Sequence, residues 1–592
     1  MTNYFRDYKD RKAKAPAKVI PDERLRQNAL SATSGLAAQP KDFDWVTKNI
    51  PCQAACPAGT DIPGYLGAVA AGDFETAYRI NLADNVFPAV LGRVCTRPCE
   101  PACRHGWEGL GEPVAICFSK RSAADFASRA PVTLEPWYPS SGKSVVVVGA
   151  GAAGLAAARD LALLGHAVTV LEKHEKPGGM MIQGIPEFRL PRDLVEKEIE
   201  QIRLQGVEIR CGVDVGSSAQ VSDLLKQHDA VILAAGTHQP NRPALPGVQL
   251  AGVQHGLEFL RQANTSGDAR VGERVVVIGG GFTAVDCARM AKRLGAESVR
   301  MLYRRSEKEM YVTPGEVEEM AHEGIAVETL SAPVEFLGEG SVRAVRFRRA
   351  KTGKPDSSGR ASFEEVAGTE FDVDADTVLL ATGQKADSTW LTASDASNAK
   401  LFRTGDFAAG ARSLIDAIAD GKKCARAVDA LLMNETRLTD AVLVENAAET
   451  GRTREMDAIP RQAMPVLDLA TRQLRAEVEK GFSEADAKTE ASRCYLCHFK
   501  YEIDNDLCIY CDRCLKVKPV ENCIVKVSSL IYDEEDRIVG FNRSSGSKDY
   551  NMLYIDQSQC IRCGACKEVC PVECISLQKA GRITVRTGDL NR

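Results

Sequence analysis

Cysteines, by their number and spacing, offer the clearest chemistry in this sequence. Of the 20 cysteines in 592 residues, six lie between Cys52 and Cys117 and eleven between Cys494 and Cys574. Clustered thiols in a reducing compartment are typical metal ligands, whereas disulfides are typical of secreted chains. We therefore interpret both clusters as metal-binding. The three scattered cysteines are interpreted as ordinary buried thiols: Cys211, Cys287 and Cys424.

One C-terminal run has the complete spacing of a bacterial ferredoxin. It reads Cys560-Ile-Arg-Cys563-Gly-Ala-Cys566-Lys-Glu-Val-Cys570-Pro. In such a run three thiolates hold one 4Fe-4S cluster, and the fourth is a ligand of a second cluster. The run therefore predicts 4Fe-4S chemistry, with zinc as the alternative metal.

An earlier run lacks its fourth cysteine. The segment Cys508-Ile-Tyr-Cys511-Asp-Arg-Cys514 keeps the ferredoxin spacing, but Lys518 stands at the fourth position. We expect Cys523 to replace it and to close the cluster held by the first three cysteines of the complete run. Cys570 would then close the cluster of the earlier run. The alternative is that Cys523 packs in the core and one cluster is incomplete.

Two glycine-rich turns each follow a valine-rich strand and precede a helix. The first contains Gly149, Gly151 and Gly154, and Glu172 ends the next strand. These glycines allow a tight turn, the approach of a pyrophosphate and close helix–strand packing. The helix N-terminus favours phosphate, and Glu172 would accept hydrogen bonds from a ribose diol. The turn therefore predicts a dinucleotide site that disfavours a 2′-phosphate.

The second turn reads Gly279-Gly-Gly281-Phe-Thr283-Ala284, and Ala284 still allows close packing of the helix on the strand. The following strand ends in Arg304 and Arg305, with no carboxylate. Guanidinium groups bind a 2′-phosphate through charge-assisted, bidentate hydrogen bonds. This turn therefore predicts an NADPH site.

Two dinucleotide units in this order resemble the architecture of flavin disulfide reductases, in which the NADPH unit is inserted into an FAD unit. Gly178 and Gly179 lie just beyond Glu172, and Gly405 and Asp406 precede a helix in which Asp406 could bind the ribityl–phosphate region. We therefore expect FAD at the first turn. Since no redox-active CxxC follows the first helix, a disulfide-reductase mechanism is unsupported.

The elements that position these residues indicate an α/β protein of several domains. We also expect residues 466–492 to form an amphipathic helix. The expected domains are a lead-in (1–45), a helical iron–sulfur domain (46–135), an FAD domain (136–270 and 375–440), an NADPH domain (271–374), a linker with a helix (441–492) and a ferredoxin-like α+β domain (493–592).

Composition excludes several classes of protein. The formal net charge is −5, so no broad basic surface favours nucleic acid or an anionic membrane. No apolar run reaches membrane-spanning length, and the first residues lack the apolar core of a signal peptide. We therefore expect a cytoplasmic protein.

Over about residues 45–440 the chain resembles the family of NADPH-dependent glutamate synthase small subunits. The same unit occurs in the N-terminal half of dihydropyrimidine dehydrogenase and in the large subunit of NADPH–ferredoxin transhydrogenases. The resemblance lies in both glycine turns and in short segments: Cys52-Gln-Ala-Ala-Cys56-Pro, Asn85-Val-Phe-Pro, Gly92-Arg-Val-Cys95-Thr-Arg-Pro-Cys99-Glu-Pro-Ala-Cys103, Glu112-Pro-Val-Ala-Ile and Tyr303-Arg-Arg-Ser.

This resemblance implies FAD and two 4Fe-4S clusters on a helical N-terminal domain. The chain departs from the family pattern in two ways. No CxxC pair precedes Cys52, and Lys120 stands where relatives carry Glu or Gln as a cluster ligand. Lysine cannot be such a ligand, but Cys117 could substitute.

Cys494 and Cys497 belong to neither ferredoxin run. Their context resembles the helix and CxxC that relatives carry before the position of Cys52. We hypothesise that this segment folds back onto the N-terminal domain and completes a cluster with Cys52 and Cys103. The other N-terminal cluster would then have four ligands: Cys56, Cys95, Cys99 and Cys117. The alternative is a structural CxxC or a small zinc site.

These observations favour an NADPH-dependent oxidoreductase that carries FAD and four 4Fe-4S clusters. It would exchange electrons with a ferredoxin or a larger redox subunit in a hetero-oligomer, such as a 2-oxoacid:ferredoxin oxidoreductase. The alternative is the small subunit of NADPH-dependent glutamate synthase, against which the additional ferredoxin module argues. A scaffold with vestigial sites is disfavoured because both nucleotide turns keep their chemistry.

Overall fold

The computed structural model describes residues 30–590 apart from 33, 108–110, 129, 357–358, 535–537, 545 and 547–551. Residues 1–29 of the expected lead-in therefore lie outside the described part. Among the described helices, none is long and apolar enough to cross a membrane.

The N-terminal half contains these elements: β1 (Gly35–Ala37), α1 (Pro40–Asn49), α2 (Pro51–Ala55), α3 (Ile62–Ala71), α4 (Phe74–Asn85), α5 (Pro88–Val94), α6 (Ile116–Phe126), β2 (Ser144–Val148), α7 (Ala152–Leu163), β3 (Ala167–Glu172), α8 (Met180–Gln183), α9 (Arg192–Leu204), β4 (Glu208–Cys211), α10 (Ser218–Gln227), β5 (Ala230–Leu233), β6 (Gln239–Pro240), β7 (Val253–His255), α11 (Gly256–Thr265), β8 (Arg274–Ile278) and α12 (Phe282–Arg293).

The C-terminal half contains these: β9 (Ser298–Leu302), α13 (Glu316–His322), β10 (Ile325–Glu328), β11 (Ser331–Glu339), β12 (Ser341–Pro355), β13 (Ala361–Asp374), β14 (Thr377–Leu380), β15 (Gln384–Lys385), α14 (Ala393–Ala396), β16 (Leu401–Arg403), α15 (Asp406–Ala409), α16 (Leu414–Met433), β17 (Leu438–Asn446), α17 (Glu484–Ser492), β18 (Phe499–Ile503), α18 (Arg513–Val517), β19 (Ile524–Tyr532), β20 (Ile538–Arg543), β21 (Met552–Ile555), α19 (Ala565–Glu568) and β22 (Ile575–Arg586).

Helices α1 to α6 form the N-terminal domain. Asp61 and Asp73 cap α3 and α4 by accepting hydrogen bonds from the backbone amides of Gly64 and Thr76, both at 3.0 Å. Helix α5 packs tightly on α6 at Gly92, where a Cβ would lie only 2.6 Å from the Cα of Arg121. The absence of a side chain at Gly92 therefore permits this close approach. This close packing brings the end of α5 beside the first turns of α6.

Two parallel sheets hold the glycine turns. The first has the order β16-β5-β2-β3-β4, and its central strand is the buried valine run of β2. The second has the order β10-β9-β8-β14-β7, and its outer strand β7 and its inner strand β14 come from outside residues 271–374. A three-stranded antiparallel sheet, β11-β12-β13, is attached to the second unit.

The segment before Cys494 differs from the expected helix over 466–492. Only residues Glu484–Ser492 are α-helical, and residues 466–483 form an irregular strap. The backbone of Leu467 pairs with that of Val478 at 2.9 Å, and Glu477 forms an ion pair with Arg93 at 2.7 Å. The strap therefore forms contacts within itself and with the N-terminal domain, rather than further turns of helix.

The ferredoxin module is joined to the rest of the chain by a shared sheet. Strand β22 pairs with β17, which follows the first nucleotide unit, and with β18 of the module itself. Strand β1 extends this sheet, so that the two ends of the described chain meet there. This pairing holds the module against the N-terminal helices.

Candidate functional site

A cleft of about 770 Å³ lies between the two glycine turns. It is lined by most of the predicted nucleotide-site residues: Gly149, Gly151, Glu172, Gly178, Gly179, Asp406, Gly281 and Thr283. The other predicted residues lie outside its lining: Gly154, Gly405, Gly279, Ala284, Arg304 and Arg305. Because both turns reach one cleft, a nicotinamide and a flavin could stack in it.

The glycines of the first turn have distinct roles. A Cβ at Gly149 would lie 2.4 Å from the carbonyl oxygen of Ala234, and one at Gly154 would lie 2.0 Å from that of Gly149. These two positions therefore require glycine for backbone packing. A Cβ at Gly151 would meet nothing within 4 Å, and it would occupy space in the cleft.

Acidic groups flank the first turn. The carboxylate of Glu172 is buried and accepts hydrogen bonds from the backbone amides of Ala150 at 2.8 Å and His174 at 3.0 Å. Burial raises the pKa of Asp406 to about 6, although the amide of Arg412 donates to it. Gly405 allows this close approach, since its φ is +60° and a Cβ would lie 2.5 Å from Ala153. Both carboxyls are thus fixed at the edge of the cleft.

At the second turn, tight packing again accounts for the residues that do not line the cleft. A Cβ at Gly279 would lie 2.5 Å from the carbonyl oxygen of Ala381, and Ala284 is fully buried against the sheet. Gly281 and Thr283 face the cleft.

Arg304 and Arg305 follow β9 but differ in their surroundings. Arg304 is exposed, and its guanidinium lies 4.9 Å from the ring centroid of Phe363. Arg305 is buried, and its Nη2 lies 2.5 Å from a carboxylate oxygen of Asp356. Of the two, Arg304 is the more accessible to a ligand.

Arg189 also lines the cleft, although no sequence motif marks it. Its guanidinium lies 2.7 Å from the carboxylates of both Asp286 and Glu316. Burial lowers the pKa of Arg189, but these carboxylates more than offset that effect and raise it. The sequence held no signal for this arrangement, because the partners lie 97 and 127 residues away.

Four groups of thiols lie beyond the cleft, and we number them outward from it. The first group is nearest. Its members are Cys56, Cys95, Cys99 and Cys117, all buried and within electrostatic range of the Lys120 ammonium. Val94 and Thr96, which flank Cys95, line the cleft. A hydrogen bond with Cys117 lowers the pKa of Cys95 to about 6. The first group is therefore next to the nucleotide sites.

Lys120 lies one helical turn beyond Cys117 on α6 and is 5% exposed. Burial opposes the charged ammonium, but the four neighbouring thiolates outweigh burial and raise the lysine pKa. Lys120 is thus placed as a positive charge within the first group.

The second group joins two distant parts of the chain. Its members are Cys52, Cys103, Cys494 and Cys497, which together line one small cavity. The group adjoins the first, because Cys52 interacts electrostatically with Cys99. Burial and these neighbouring thiols raise the pKa of Cys52 well above its usual value.

The third group lies in the ferredoxin module. Its members are Cys523, Cys560, Cys563 and Cys566. Burial raises the pKa of Cys523 to about 11, and the nearby thiol of Cys560 adds to the effect. Lys518, which stands at the position of the missing fourth cysteine, donates hydrogen bonds to backbone carbonyls, among them that of Ile524 at 2.8 Å.

The fourth group contains one more thiol than the sequence analysis assigned. Its expected members, Cys508, Cys511, Cys514 and Cys570, line a small pocket together with Cys574. The sulfurs of Cys570 and Cys574 are 3.5 Å apart. Cys514 interacts with Cys566, so the fourth group adjoins the third.

The donor sets fit 4Fe-4S clusters. Each group offers at least four thiols, the usual ligand set of such a cluster. Among the described residues, no three His, Cys, Asp or Glu side chains are placed to hold a single metal ion. Buried cations accompany the thiols: Lys120 at the first group and Arg104 at the second. Such charges suit a site that carries a net negative cluster.

Three family models match the chain. Residues 143–410 match the pyridine nucleotide-disulphide oxidoreductase model. Residues 45–131 match dihydropyrimidine dehydrogenase domain II with its 4Fe-4S cluster, and residues 553–576 match a 4Fe-4S binding domain. These matches assign FAD, NADPH and 4Fe-4S clusters to the chain.

Curated relatives extend the similarity. The chain is 36% identical to the NADP(+)-dependent formate dehydrogenase subunit beta of Moorella thermoacetica, over 79% of this chain and 73% of the relative. It is 32% identical to the NADPH-Fe(3+) oxidoreductase subunit beta of Geobacter sulfurreducens, over 80% and 79%. It is 34% identical to the NADPH glutamate synthase small chain of Escherichia coli, over 63% and 87%. The chain therefore belongs to the glutamate synthase small-subunit-like family of NADPH-dependent iron–sulfur flavin oxidoreductase subunits.

Proposed function

We propose that the chain is an electron-transfer subunit that binds FAD in the cleft and four 4Fe-4S clusters at the thiol groups. These cofactors form one path for electrons, and the path ends at a separate redox subunit. When bound there, FAD would supply hydride exchange with NADP(H) and single-electron exchange with the clusters. The proposal assigns the nucleotide-site residues and the sixteen expected cysteines of the four groups, all but Cys574, to these cofactors.

The observation that supports this function is the sequence of contacts from the cleft outward. Val94 and Thr96 join the cleft to the first group, and Cys52 and Cys99 join the first group to the second. Arg562 contacts the backbone of Cys497 and of Cys560, and Cys514 lies near Cys566. Each group is thus adjacent to the next, as short-range electron transfer requires.

The partner is proposed to be a catalytic subunit, or a ferredoxin, that accepts or donates single electrons at the fourth group. The relatives named above as subunits beta belong to multisubunit redox enzymes. A 2-oxoacid:ferredoxin oxidoreductase is one such partner. A cytoplasmic location is part of the proposal, because none of the 20 cysteines, all of which the structure describes, forms a disulfide.

The alternative function is that of a glutamate synthase small subunit. Its basis is the match to the Escherichia coli small chain, which covers 87% of that chain. That match covers only 63% of this chain, so over a third of this sequence lies outside it. The ferredoxin module with its two thiol groups favours a partner that receives electrons through that module.

Purification under anoxia tests the proposed function. We expect one FAD and about sixteen irons per chain, the content of four cubane clusters. NADPH should bleach both the flavin and the cluster absorbance, and NADH should do so more slowly. A purified chain without iron, or with clusters that NADPH does not reduce, would contradict the proposal. A co-purifying amidotransferase subunit would favour the alternative function.

A further inference from the structure

Two arginines with almost no solvent exposure lie where the N-terminal domain meets the ferredoxin module. Arg104, 2% exposed, directly follows Cys103 of the second group. Arg562, 0% exposed, lies between Cys560 and Cys563 of the third group. Each arginine is thus next in sequence to a cysteine of one thiol group, and its side chain lies in the interface between that group and the other.

Arg562 connects the two groups through hydrogen bonds to backbone carbonyls. It donates to Cys497 of the second group at 3.2 Å and to Cys560 of the third group. It also donates to Phe499 at 2.8 Å and to Gln557 at 2.7 Å. One rigid guanidinium therefore fixes the distance between the backbones of two ligand loops.

Arg104 reaches the same junction from the other side. Its Nη1 donates to the carbonyl of Gln557 at 3.0 Å and lies 3.9 Å from the Cys497 sulfur. Within the described part of the chain, its Nε and Nη2 are buried without a hydrogen-bond partner. Unpaired buried donors are costly, so this guanidinium requires an acceptor or an anion nearby.

Neither arginine forms an ion pair with a carboxylate of the described residues, in contrast to other buried arginines of this chain. Arg493, for example, lies 2.7 Å from Glu490, and Arg452 lies 2.7 Å from Asp457. The thiols of Cys560 and Cys497 lie within electrostatic range of Arg562, as does the carboxylate of Asp556. Thiols of both groups therefore lie close to these two cations, and the Cys497 sulfur is 3.9 Å from Arg104.

We propose that Arg104 and Arg562 are the shared counter-charges of the second and third cluster sites, and that Arg562 sets the gap that electrons cross between the N-terminal domain and the ferredoxin module. This inference rests on the proposed order of sites. In the step concerned, one electron leaves the second site and arrives at the third, without bond cleavage or proton transfer. A cluster gains negative charge when it is reduced, so a buried cation stabilises its reduced form.

The test uses the full chain, purified under anoxia, with Arg104→Gln and Arg562→Gln compared with the unaltered protein. Iron and flavin content are measured first, and cluster midpoint potentials are then measured by EPR-monitored redox titration. We expect two clusters to shift to more negative potential in each variant. In Arg562→Gln, stopped-flow reduction of the ferredoxin module by NADPH should slow about tenfold or more, while flavin reduction keeps its rate.

The matched charge-retaining variants are Arg104→Lys and Arg562→Lys. Potentials close to those of the unaltered protein in both would support the role of charge, as would cluster loss in the glutamine variants alone. The control is Arg437→Gln, since Arg437 is buried and paired with Asp429 away from the thiol groups; its cluster potentials should not change.

Unchanged potentials in both glutamine variants would overturn the inference, and so would equal loss of iron in the glutamine and lysine variants. These outcomes are distinct from failure of the proposed function. That failure would appear in the unaltered protein, as missing iron or as clusters that NADPH does not reduce.

Discussion

The ferredoxin module and the N-terminal helical domain each contain two thiol groups, but the two regions assemble them differently. The third and fourth groups draw their expected thiols from residues 508–570, whereas the second group brings Arg104 and Cys497, 393 residues apart, into contact. Exposure differs as well. Of the N-terminal thiols only Cys103 is partly exposed, whereas four of the expected ferredoxin thiols are: Cys511, Cys563, Cys566 and Cys570. The N-terminal groups are therefore the more buried pair, and the second of them is the one that joins distant parts of the chain.

The largest expected effect concerns the most distant contact. We expect the double change Cys494→Ser and Cys497→Ser to remove the second cluster, or about four irons per chain. The line of sites would then be interrupted, and NADPH would no longer reduce the ferredoxin module. Iron analysis and EPR check both points. Cys424→Ser, at a buried thiol outside all four groups, is the control. An unchanged iron content in the double variant would remove the contrast between the two regions.

A second experiment tests how local the ferredoxin groups are. Cys523→Ala should lose at least one iron and the normal EPR signal of the third cluster, because the neighbouring thiol of Cys514 already belongs to the fourth group. Cys574→Ala should keep all its irons, since the fourth group retains Cys570. If only Cys574→Ala lost iron, the assignment of Cys523 and Cys570 as the fourth ligands of these two clusters would be wrong.

A smaller effect is expected in the NADPH-binding unit, where the neighbouring residues Arg304 and Arg305 can be compared. Arg304→Ala would remove the predicted charge-assisted contact with the 2′-phosphate, which should cost about 1.5–3 kcal/mol, or roughly ten- to hundredfold in NADPH affinity. NADH should be affected little. Arg305→Ala should have a weaker effect on NADPH, because Arg305 is already held by Asp356. Steady-state KM values for both nucleotides measure this, and equal losses with NADH would contradict a phosphate-specific role.

The smallest effect is expected at Lys120. Lys120→Met should leave the iron content intact but lower the midpoint potential of the first cluster. One buried charge several Å away is worth about 1–3 kcal/mol at an effective dielectric constant of about 20. Redox titration followed by EPR measures the shift. Lys422→Met is the control, since that partly buried ammonium contacts the carbonyls of Ala83 and Asp84 rather than thiols. Equal potentials in the unaltered protein and in Lys120→Met would exclude this role.

The family, the fold class and the kinds of cofactor were predicted from the sequence and are confirmed by the comparisons, whereas the number of clusters stays a prediction. The glycine turns and ferredoxin runs could be recognised because each is built from residues within one loop, so spacing alone reports their geometry. Local patterning did not predict the irregular strap over residues 466–483, whose contacts include ion pairs of Glu477 with Arg93 and Arg121 of the N-terminal domain. It also gave no sign of Cys574 as a fifth thiol at the fourth group.

The sequence by itself determined two dinucleotide turns and two ferredoxin runs, because backbone geometry requires glycine at fixed positions and cluster chemistry requires cysteine at fixed intervals. Only the tertiary structure decided which thiols face one another across domains and which cations are buried beside them. Packing of β22 between β17 and β18 brings the end of the chain back onto the N-terminal helices. Contacts such as Arg562 with Cys497 exist only after this closure, because they depend on distances that no local spacing encodes.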